Sequence, residues 1–322
     1  MGMSIILLIL LLGLIWISSA AVGEASGNKV LYERNSPYQR ISVVQSGNLR
    51  YLRFKNSNQS ALDLEDPLRM VFPYTSYLHL GVVAHPQPTK ALFIGLGGGS
   101  APRKFLHDYP SLTAVDVVEI DPDVVKIART YFDLPDDPRL KVKIEDGRLF
   151  VEESGPAIAA GRTNPYDLVI IDAYSASNIP YHLVTFEFLR AVRKILSPDG
   201  VVVSTLIGAL SGSHSRFFRS MARTYSVVFP QKYLFPVGGW SGESDTSVRN
   251  IILIATLSPD KWNQDVWQKQ AKACYEQKLI TEEVPDFVNT LVEETELETI
   301  WLEDIPVLTD DYVPYDPRYH RL

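Results

Sequence analysis

The sequence predicts an α/β protein with a mainly parallel central sheet, an antiparallel pair of closing strands and a small N-terminal β domain. Two observations lead to this fold class. Between Ala91 and Thr205, short apolar strands alternate with helix-like segments, as in βαβ units whose helices cover both faces of a parallel sheet. From Lys29 to about Leu80 the pattern is β-like, with apolar and polar residues alternating on either side of the turn Gly47-Asn48.

Composition limits the classes of function. The chain has 322 residues, of which 46% are hydrophobic and 21% charged, so a folded protein with a large core is expected rather than a disordered one. The net charge of −7 and the lack of a basic stripe argue against nucleic acid as a partner. The single cysteine, Cys274, excludes an intramolecular disulfide and a cysteine zinc site. The six histidines show no metal-binding spacing, so no metal is expected.

The order of elements along the chain follows from the apolar periodicity. Strands of the parallel sheet are expected to begin at Ala91, Val115 and Tyr166. A helix entered at Pro67 is expected to extend to residue 84, and residues 259–304 are expected to be helical. The other expected elements are strands at 140–144, 201–205, 226–229 and 250–256, and helices at 103–109, 123–131, 185–196 and 213–224.

An apolar run, residues 5–17, dominates the N-terminus. Its length fits a signal peptide, while extension to Val22 reaches about 18 residues, the lower limit for a membrane span. We therefore expect a signal peptide or an anchor, with membrane association through residues 4–22 and a cytoplasmic catalytic domain; export after cleavage is the alternative. The expected parts are residues 1–25 as this segment, 26–85 as the β domain plus a helix, 86–258 as a Rossmann-like nucleoside-binding domain and 259–322 as a helical extension.

A glycine-rich loop, Gly95-Leu-Gly-Gly-Gly-Ser100, follows the first strand of the parallel sheet. Glycines at the carboxyl end of that strand let the backbone approach a ligand closely and let the next helix begin there. An acidic side chain ends the next strand, where a carboxylate can accept hydrogen bonds from both ribose hydroxyls of a nucleoside. The candidate binding residues are therefore Gly95, Gly97, Gly98, Gly99 and Glu119.

The spacing of these glycines does not match a dinucleotide site. Ala101 and Pro102 stand where the third glycine of G-x-G-x-x-G would fall, which disfavours NAD. Asp146-Gly147, after the third strand, puts a carboxylate where an adenine amino group can be bound, and Asp172 ends the fourth strand facing the same crevice. For each of these acids, a helix cap or a turn is the structural alternative.

Four motifs together indicate more than a general nucleoside-binding site. They are Ile94-Gly-Leu-Gly-Gly-Gly, Val118-Glu-Ile-Asp-Pro122, Glu145-Asp-Gly147 and Asp167-Leu-Val-Ile-Ile-Asp172. This series resembles the spermidine synthase family of polyamine aminopropyltransferases, most closely its bacterial spermidine-synthase-like branch. The resemblance extends from about Tyr38-Gln39 through Pro198-Asp-Gly200 and resumes at Leu308-Thr-Asp-Asp-Tyr312. Its glycine, Glu and Asp elements are shared with S-adenosylmethionine-dependent methyltransferases of the same fold.

The resemblance implies a methyltransferase-like Rossmann fold behind an N-terminal β domain, with no permanently bound cofactor. It implies that decarboxylated S-adenosylmethionine, as co-substrate, donates a 3-aminopropyl group to an amine such as putrescine in polyamine biosynthesis. The expected partners are these small molecules, with a homodimer as one option for assembly. Carried over by position, Gln59 matches a glutamine near the donor, Glu119 the ribose-binding acid, Asp146 the adenine-binding acid and Asp172 the first acid of an Asp-x-x-Asp motif.

Two positions depart from the family pattern. An aspartate of the family's glycine loop holds the aminopropyl arm of the donor, and Ser100 is its nearest counterpart here. The second acid of Asp-x-x-Asp, which deprotonates the attacking amine, is Ser175, and serine is a poor general base at neutral pH. His182 is a candidate base in its place, so the candidate catalytic residues are Asp172, Ser175 and His182. Asp310 and Asp311 would add negative charge if the C-terminal segment folds over the site.

Two other functions stay open from the sequence. A methyltransferase would use intact S-adenosylmethionine, whose carboxylate needs a cation or free amides near Ser100, and Arg103 is close enough in sequence to supply the cation. A non-catalytic nucleoside-binding protein would account for the loss of the second acid at Ser175.

Overall fold

The computed structural model describes residues 27–174, 179–239, 241–242, 244–281, 283–293 and 305–312. The apolar N-terminal run and Ser175 lie outside these residues. Within them, no helix has the length and apolar composition needed to cross a membrane: the longest have 13 residues, whereas a span takes about 20. This finding contradicts the prediction of membrane association through residues 4–22 with a cytoplasmic catalytic domain.

The N-terminal β domain is a four-stranded antiparallel sheet, as predicted. Its strands follow one another along the chain and pair in the same order, each through a short turn. Apolar residues of these strands alternate with polar ones, so that one face is available for burial. The strands are β1 (Lys29–Asn35), β2 (Arg40–Ser46), β3 (Leu49–Phe54) and β4 (Ser57–Asp63).

The second sheet has seven strands. They are β5 (Lys90–Ile94), β6 (Ala114–Glu119), β7 (Leu140–Ile144), β8 (Tyr166–Ile171), β9 (Leu196–Gly208), β10 (Gln231–Pro236) and β11 (Arg249–Thr256). Their order is β10-β11-β9-β8-β5-β6-β7. The pairs among β5 to β9 are parallel, and the pairs β9–β11 and β10–β11 are antiparallel. The predicted fold class, a mainly parallel sheet closed by an antiparallel pair, is confirmed.

Helices cover both faces of this sheet and form two separate cores. Phe105 and Trp267 are buried in the core on one face, and Phe188 and Phe218 in the core on the other. Burial of side chains of this size stabilises the fold by about 1.5 to 3 kcal/mol each. The helices are α1 (Pro73–Tyr77), α2 (Leu80–Ala84), α3 (Ser100–Asp108), α4 (Pro122–Tyr131), α5 (Gly147–Ala159), α6 (Phe186–Ile195), α7 (Arg216–Val228), α8 (Gln264–Glu276) and α9 (Val284–Phe287).

A third core joins the N-terminal sheet to α4. Ile41 and Leu52 of the sheet are fully buried against Val124 and Phe132. Polar contacts reinforce this junction, among them the hydrogen bond from the Ser36 hydroxyl to a carboxylate oxygen of Asp121, the N-cap of α4. The N-terminal sheet is thereby held beside the loop that follows β5.

The strand order reverses between β5 and β8. From β5 the chain continues outward to β6 and β7, whereas β8 and β9 lie on the other side of β5. In such sheets, a crevice opens outside the carboxyl ends of the strands at the reversal, and ligands bind there. The loops after Ile94 and Ile171, which the sequence singled out, both lead into this crevice.

Four details of the predicted element order differ from the structure. Of residues 259–304, which were expected to be helical, the described ones form helix only in α8, α9 and the 3-10 turn Val288–Thr290. The helix expected over residues 67–84 is the pair α1 and α2, entered at Pro73 rather than Pro67. The strand expected at residues 226–229 is wrong, because α7 extends to Val228 and the strand is β10. The crossover helix α5 was not predicted, since Gly155-Pro156 interrupts its helical pattern. The boundaries of the four expected parts stay predictions.

Candidate active site

A cavity of about 310 Å³ opens at the carboxyl ends of β5, β6 and β8. It lies at the reversal of strand order, where the second sheet faces the N-terminal β domain. Its lining comes from the glycine-rich loop, the acids at the ends of β6, β7 and β8, residues of β4 and the segment at α1. The cavity therefore brings together motifs that are far apart in the sequence.

The glycine-rich loop turns where two strand ends approach each other. Gly95 has φ of +99°, and a Cβ there would lie 2.4 Å from the backbone oxygen of Asp172, so only glycine fits. Gly95 and Gly97 line the cavity. Two of the four predicted glycines do not: Gly98 packs against Ser60 and Phe132, and Gly99 against Leu134. The ligand-binding role of all four glycines stays a prediction.

Glu119 ends β6 opposite the glycine-rich loop. Its Oε2 accepts a hydrogen bond from the backbone N–H of Leu96 over 3.0 Å, and its Oε1 accepts one from Asp121 N–H over 3.0 Å. Burial raises the pKa of the carboxyl group above its ordinary value, while these backbone hydrogen bonds counteract the rise. Each carboxylate oxygen can accept a second hydrogen bond, so the group is oriented and still available to a ligand.

Asp146 and His182 form a pair on the cavity wall. Asp146 is the N-cap of α5: its Oδ1 accepts from the N–H groups of Arg148 and Leu149, over 2.8 and 3.3 Å. Its Oδ2 lies 3.0 Å from Nε2 of His182, and both residues line the cavity together with Gly147. The capping role and the binding role considered for Asp146 are therefore compatible. The proposed action of His182 as a base stays a prediction.

Asp172 follows β8 and differs from the other two acids in its environment. Its Oδ2 accepts a hydrogen bond from the Tyr74 hydroxyl over 3.3 Å. Its Oδ1 is buried and, among the described residues, has no hydrogen-bond partner; the Thr205 hydroxyl is close enough to lower the pKa but does not reach hydrogen-bond geometry. Burial is the larger effect and raises the pKa of Asp172 to about 6. A carboxyl group with this pKa can exchange a proton near neutrality.

Two tyrosines lie beside Asp172, and a phenylalanine stacks on one of them. The Tyr174 hydroxyl donates to the backbone oxygen of Thr205 over 2.7 Å. The rings of Phe72 and Tyr74 are stacked, with centroids 6.4 Å apart and an interplanar angle of 20°. Burial, together with the Asp172 charge, raises the pKa of both tyrosines well above the ordinary value, so both stay protonated.

The N-terminal β domain supplies polar side chains to the cavity. Gln59 of β4 lines it, as expected for a residue near the donor, and its Nε2 lies 3.4 Å from the backbone oxygen of Ser57. Gln39 also lines it, and its buried Oε1 has no hydrogen-bond partner in the part of the chain that is described. The hydroxyls of Ser60 and Ser100 lie 3.3 Å apart and link β4 to the start of α3.

The cavity is acidic. Its described lining contains three carboxylates, those of Glu119, Asp146 and Asp172, and neither lysine nor arginine. Arg103, the cation considered for a donor carboxylate, is buried elsewhere and donates hydrogen bonds to the backbone oxygens of Phe132 and Pro67. The described lining thus favours a positively charged ligand over one that carries a carboxylate.

The C-terminal segment folds back next to the site. The Asp310 carboxylate forms two hydrogen bonds, of 2.5 and 2.6 Å, with the Arg148 guanidinium, and the Asp310 N–H donates to Glu187 over 3.0 Å. The Arg148 guanidinium holds the pKa of Asp310 below its ordinary value. Arg148 thereby balances the negative charge of Asp310. Asp310 itself is not among the described residues that line the cavity.

Sequence reasoning missed three residues that line the cavity, Gln39, Tyr74 and Tyr174. Gln39 lies within the stretch that carried the family resemblance but had no role assigned. The contact of Tyr74 with Asp172 joins residues 98 positions apart, and no local pattern announces such a contact. Ser175, between Tyr174 and the turn of His182, lies outside the described residues.

Comparison with known proteins identifies the family. The profile of the spermine/spermidine synthase domain matches residues 71–237. A polyamine aminopropyltransferase of Vibrio vulnificus is 31% identical over 304 residues, which cover 92% of this chain and 93% of that protein. The chain belongs to the spermine/spermidine synthase family.

Solved structures with the same fold include a probable spermidine synthase from Corynebacterium glutamicum. It superposes with a TM-score of 0.68 at 20% identity, over 88% of this chain and 98% of that one. Human methyltransferase-like protein 13 in complex with SAH superposes with a TM-score of 0.54 at 26% identity, over 65% of this chain and 92% of that one. These likenesses confirm the methyltransferase-like Rossmann fold behind an N-terminal β domain.

Proposed function

We propose that the protein is an aminopropyltransferase of polyamine biosynthesis. It transfers the 3-aminopropyl group of decarboxylated S-adenosylmethionine, its co-substrate, to an amine such as putrescine. Membership of the spermine/spermidine synthase family and the resemblance to a polyamine aminopropyltransferase along most of the chain support this proposal. A homodimer is proposed with it, and sedimentation velocity tests that assembly.

The observation that carries the proposal is the charge of the cavity. The decarboxylated donor has a sulfonium and an ammonium group and no carboxylate, so it is a dication. A lining with three carboxylates and, among its described residues, no lysine or arginine suits such a ligand. The carboxylate of intact S-adenosylmethionine would meet the same negative field without a neighbouring cation.

The nucleoside end of the cavity, defined by Gly95, Glu119, Asp146 and His182, is assigned to the adenosine part of the donor. Glu119 accepts hydrogen bonds from the ribose hydroxyls, since both its oxygens are oriented by backbone N–H groups and keep acceptor capacity. Asp146 accepts from the adenine amino group through Oδ2. Gly97 and Gly147 allow the backbone to approach the nucleoside, with Gln59 above it from β4.

Chemistry is assigned to Asp172. The sulfonium is already a good leaving group, so the protein has to orient an amine in line with the C–S bond, accept its proton and exclude water. Asp172 lines the cavity, and its carboxylate is the proposed acceptor for the amine proton. Its pKa of about 6 leaves the carboxylate ionised at neutral pH and able to take up that proton transiently.

A donor comparison tests the proposal. The chain is incubated with an amine mixture and either decarboxylated or intact S-adenosylmethionine, and methylthioadenosine and S-adenosylhomocysteine are quantified. We expect methylthioadenosine from the decarboxylated donor and no S-adenosylhomocysteine from the intact one. Asp172→Asn is the matched control, because it removes the acceptor oxygen with little change of shape. S-adenosylhomocysteine as the product would reject the proposal.

A methyltransferase is the second candidate. The likeness to human methyltransferase-like protein 13 in complex with SAH supports it, because a shared scaffold can present either the methyl or the aminopropyl carbon of a sulfonium to a nucleophile. The position of Arg103, engaged with two backbone oxygens, argues against it. A protein that binds the donor tightly and turns over neither form would point to the non-catalytic alternative.

A further inference from the structure

The C-terminal segment, residues 305–312, is docked where α6 begins. The side chain of Leu308 is fully buried in the core that contains α6 and α7. Its backbone N–H donates to the Thr224 hydroxyl over 3.0 Å. Its backbone oxygen accepts from the N–H of Phe186, the first residue of α6, over 2.8 Å. The segment is therefore held in place by both packing and hydrogen bonds.

Asp310 in this segment connects α6 with α5. It lies in a turn that Thr309 and Tyr312 close through two backbone hydrogen bonds of 3.1 Å. Its backbone N–H donates to Oε2 of Glu187, in the first turn of α6, over 3.0 Å. Its carboxylate binds the guanidinium of Arg148, the second residue of α5, through two hydrogen bonds. Asp310 thus bridges the first turns of two helices.

The same two helix starts carry a pair of residues at the nucleoside end of the cavity. Asp146 is the N-cap of α5 and accepts from the backbone N–H of Arg148 over 2.8 Å. His182 lies in the 3-10 turn that precedes Thr185, the N-cap of α6. The 3.0 Å contact between Asp146 Oδ2 and His182 Nε2 therefore spans the two elements that Asp310 joins.

Electrostatic interactions also link Asp310 to this pair. Arg148 has the largest effect on the pKa of Asp310 and lowers it, and Thr185 and His182 lie close enough to lower it further. The His182 ring thus contacts Asp146 and interacts with the charge of Asp310. A change at Asp310 is expected to move the imidazole and, with it, Oδ2 of Asp146.

We propose that the ion pair of Asp310 and Arg148 positions the nucleoside end for donor binding. The pair holds the starts of α5 and α6 at the distance at which Asp146 and His182 meet. This inference rests on the proposed function, since it takes Asp146 as the acceptor for the adenine amino group. The ion pair acts on the affinity for the nucleoside, while proton transfer stays with Asp172.

Replacement of the Asp310 carboxylate tests this role. Asp310→Asn keeps the shape of the side chain and removes its charge. We expect the dissociation constant of methylthioadenosine to rise by about three- to tenfold, with kcat at saturating donor almost unchanged. Asp310→Glu, which retains a carboxylate, should recover part of the affinity. Titration calorimetry measures the binding, and methylthioadenosine release measures the turnover.

Asp137→Asn is the matched control. Asp137 also accepts hydrogen bonds from a guanidinium, that of Arg139, over 2.7 and 3.0 Å, and this arginine lowers its pKa in the same way. Arg139 comes directly before β7, at the end of the strand opposite to Asp146. The control variant loses an ion pair of the same kind and should bind methylthioadenosine as the wild type does.

The His182→Ala background tests whether Asp310 acts through the Asp146–His182 pair. Without the imidazole, Asp310→Asn should weaken the binding of methylthioadenosine by less than about twofold, because the two substitutions interrupt the same interaction. A full three- to tenfold loss in that background would mean that the two sites act independently, and it would overturn the proposed positioning.

Hydrogen exchange of the wild-type protein measures the coupling from the opposite side. The N–H groups of Leu308 and Asp310 lose their hydrogen-bond partners when the segment leaves its site. Because coupling is reciprocal, saturating methylthioadenosine should slow their exchange by about three- to tenfold. The N–H of Arg139, which is bound to the Asp137 carboxylate, is the reference and should exchange at an unchanged rate. Unchanged exchange at Leu308 and Asp310 would overturn the proposal, even if Asp310→Asn failed to fold.

The outcomes distinguish this inference from the proposed function. A wild-type protein that does not bind methylthioadenosine would overturn the nucleoside site and the proposed function with it. Unchanged affinity in Asp310→Asn, or an equal loss in Asp137→Asn, would overturn the positioning role and leave aminopropyl transfer standing. A fall of kcat at unchanged affinity would also overturn it, since turnover rather than binding would then depend on the ion pair.

Discussion

The two ends of the cavity are built differently. At the nucleoside end, each carboxylate is fixed by backbone N–H groups, two for Glu119 and two for Asp146. At the other end, the acceptor end defined by Tyr74, Asp172 and Tyr174, Asp172 accepts from the Tyr74 hydroxyl, and its buried Oδ1 has no hydrogen-bond partner among the described residues. Backbone hydrogen bonds orient the carboxylate of Glu119 and partly offset the rise in its pKa that burial causes, whereas no backbone hydrogen bond from the described part of the chain offsets that rise at Asp172. The first arrangement suits binding and the second suits proton transfer.

The largest effect is expected on the turnover rate when Asp172 is replaced. Asp172→Asn removes the proton acceptor, so we expect kcat to fall by about 10²- to 10⁴-fold, with little change in the affinity for methylthioadenosine. Single-turnover methylthioadenosine release and calorimetry measure the two quantities. If the affinity for methylthioadenosine fell by as large a factor as kcat, binding and proton transfer would not be assigned to different ends of the cavity.

The same variant should reveal the energetic cost of the buried carboxyl. Its pKa is about 6 in the folded protein against an ordinary 3.8, so folding favours the protonated form. The stability from this group is complete below about pH 4 and is lost as the pH rises through 6. Relative to the wild type, Asp172→Asn should therefore gain about 2 to 3 kcal/mol of unfolding free energy between pH 4 and pH 7.

Asp310→Asn is the control for this pH dependence. Arg148 lowers the pKa of Asp310, so its stabilising contribution is present above the unfolded pKa and is lost as the pH falls through the lowered folded pKa. The variant should be less stable than the wild type at pH 7, by about 0 to 1 kcal/mol for a partly exposed ion pair, and equal to it in acid. Urea unfolding at several pH values measures both variants. Opposite signs are expected, and equal signs would contradict the assignments.

A smaller effect is expected at the nucleoside end. Glu119→Ala withdraws one charged acceptor from two ribose hydroxyls, so we expect methylthioadenosine binding to weaken by about 1 to 3 kcal/mol. At saturating donor, kcat should change little, because Glu119 is not assigned to proton transfer. Titration calorimetry with methylthioadenosine measures the loss. Unchanged affinity would remove Glu119 from the ribose site.

The nucleoside end was also the more predictable from sequence. Gly95 and Glu119 lie at the ends of consecutive parallel strands, so periodicity and glycine placement were enough to bring them together. The acceptor end depends on Tyr74, which reaches Asp172 from a short helix 98 residues earlier. Its packing is set by tertiary contacts, and no local spacing encodes them. A cap role was among the alternatives considered for Asp146, but the helix α5 that it begins was not predicted, because Gly155-Pro156 interrupts the helical pattern.

The smallest expected effect concerns His182, which the sequence suggested as a base and the structure places at Asp146. If His182 orients Oδ2 of Asp146, His182→Ala should weaken methylthioadenosine binding by about 0.5 to 1.5 kcal/mol, the net value of one hydrogen bond, with kcat almost unchanged. His182→Gln, which retains an N–H donor on a side chain of similar reach, should recover part of the affinity. A fall of kcat by about 10²-fold or more at unchanged affinity would instead make His182 the base. That result would move proton transfer to the nucleoside end and remove the distinction between the two ends.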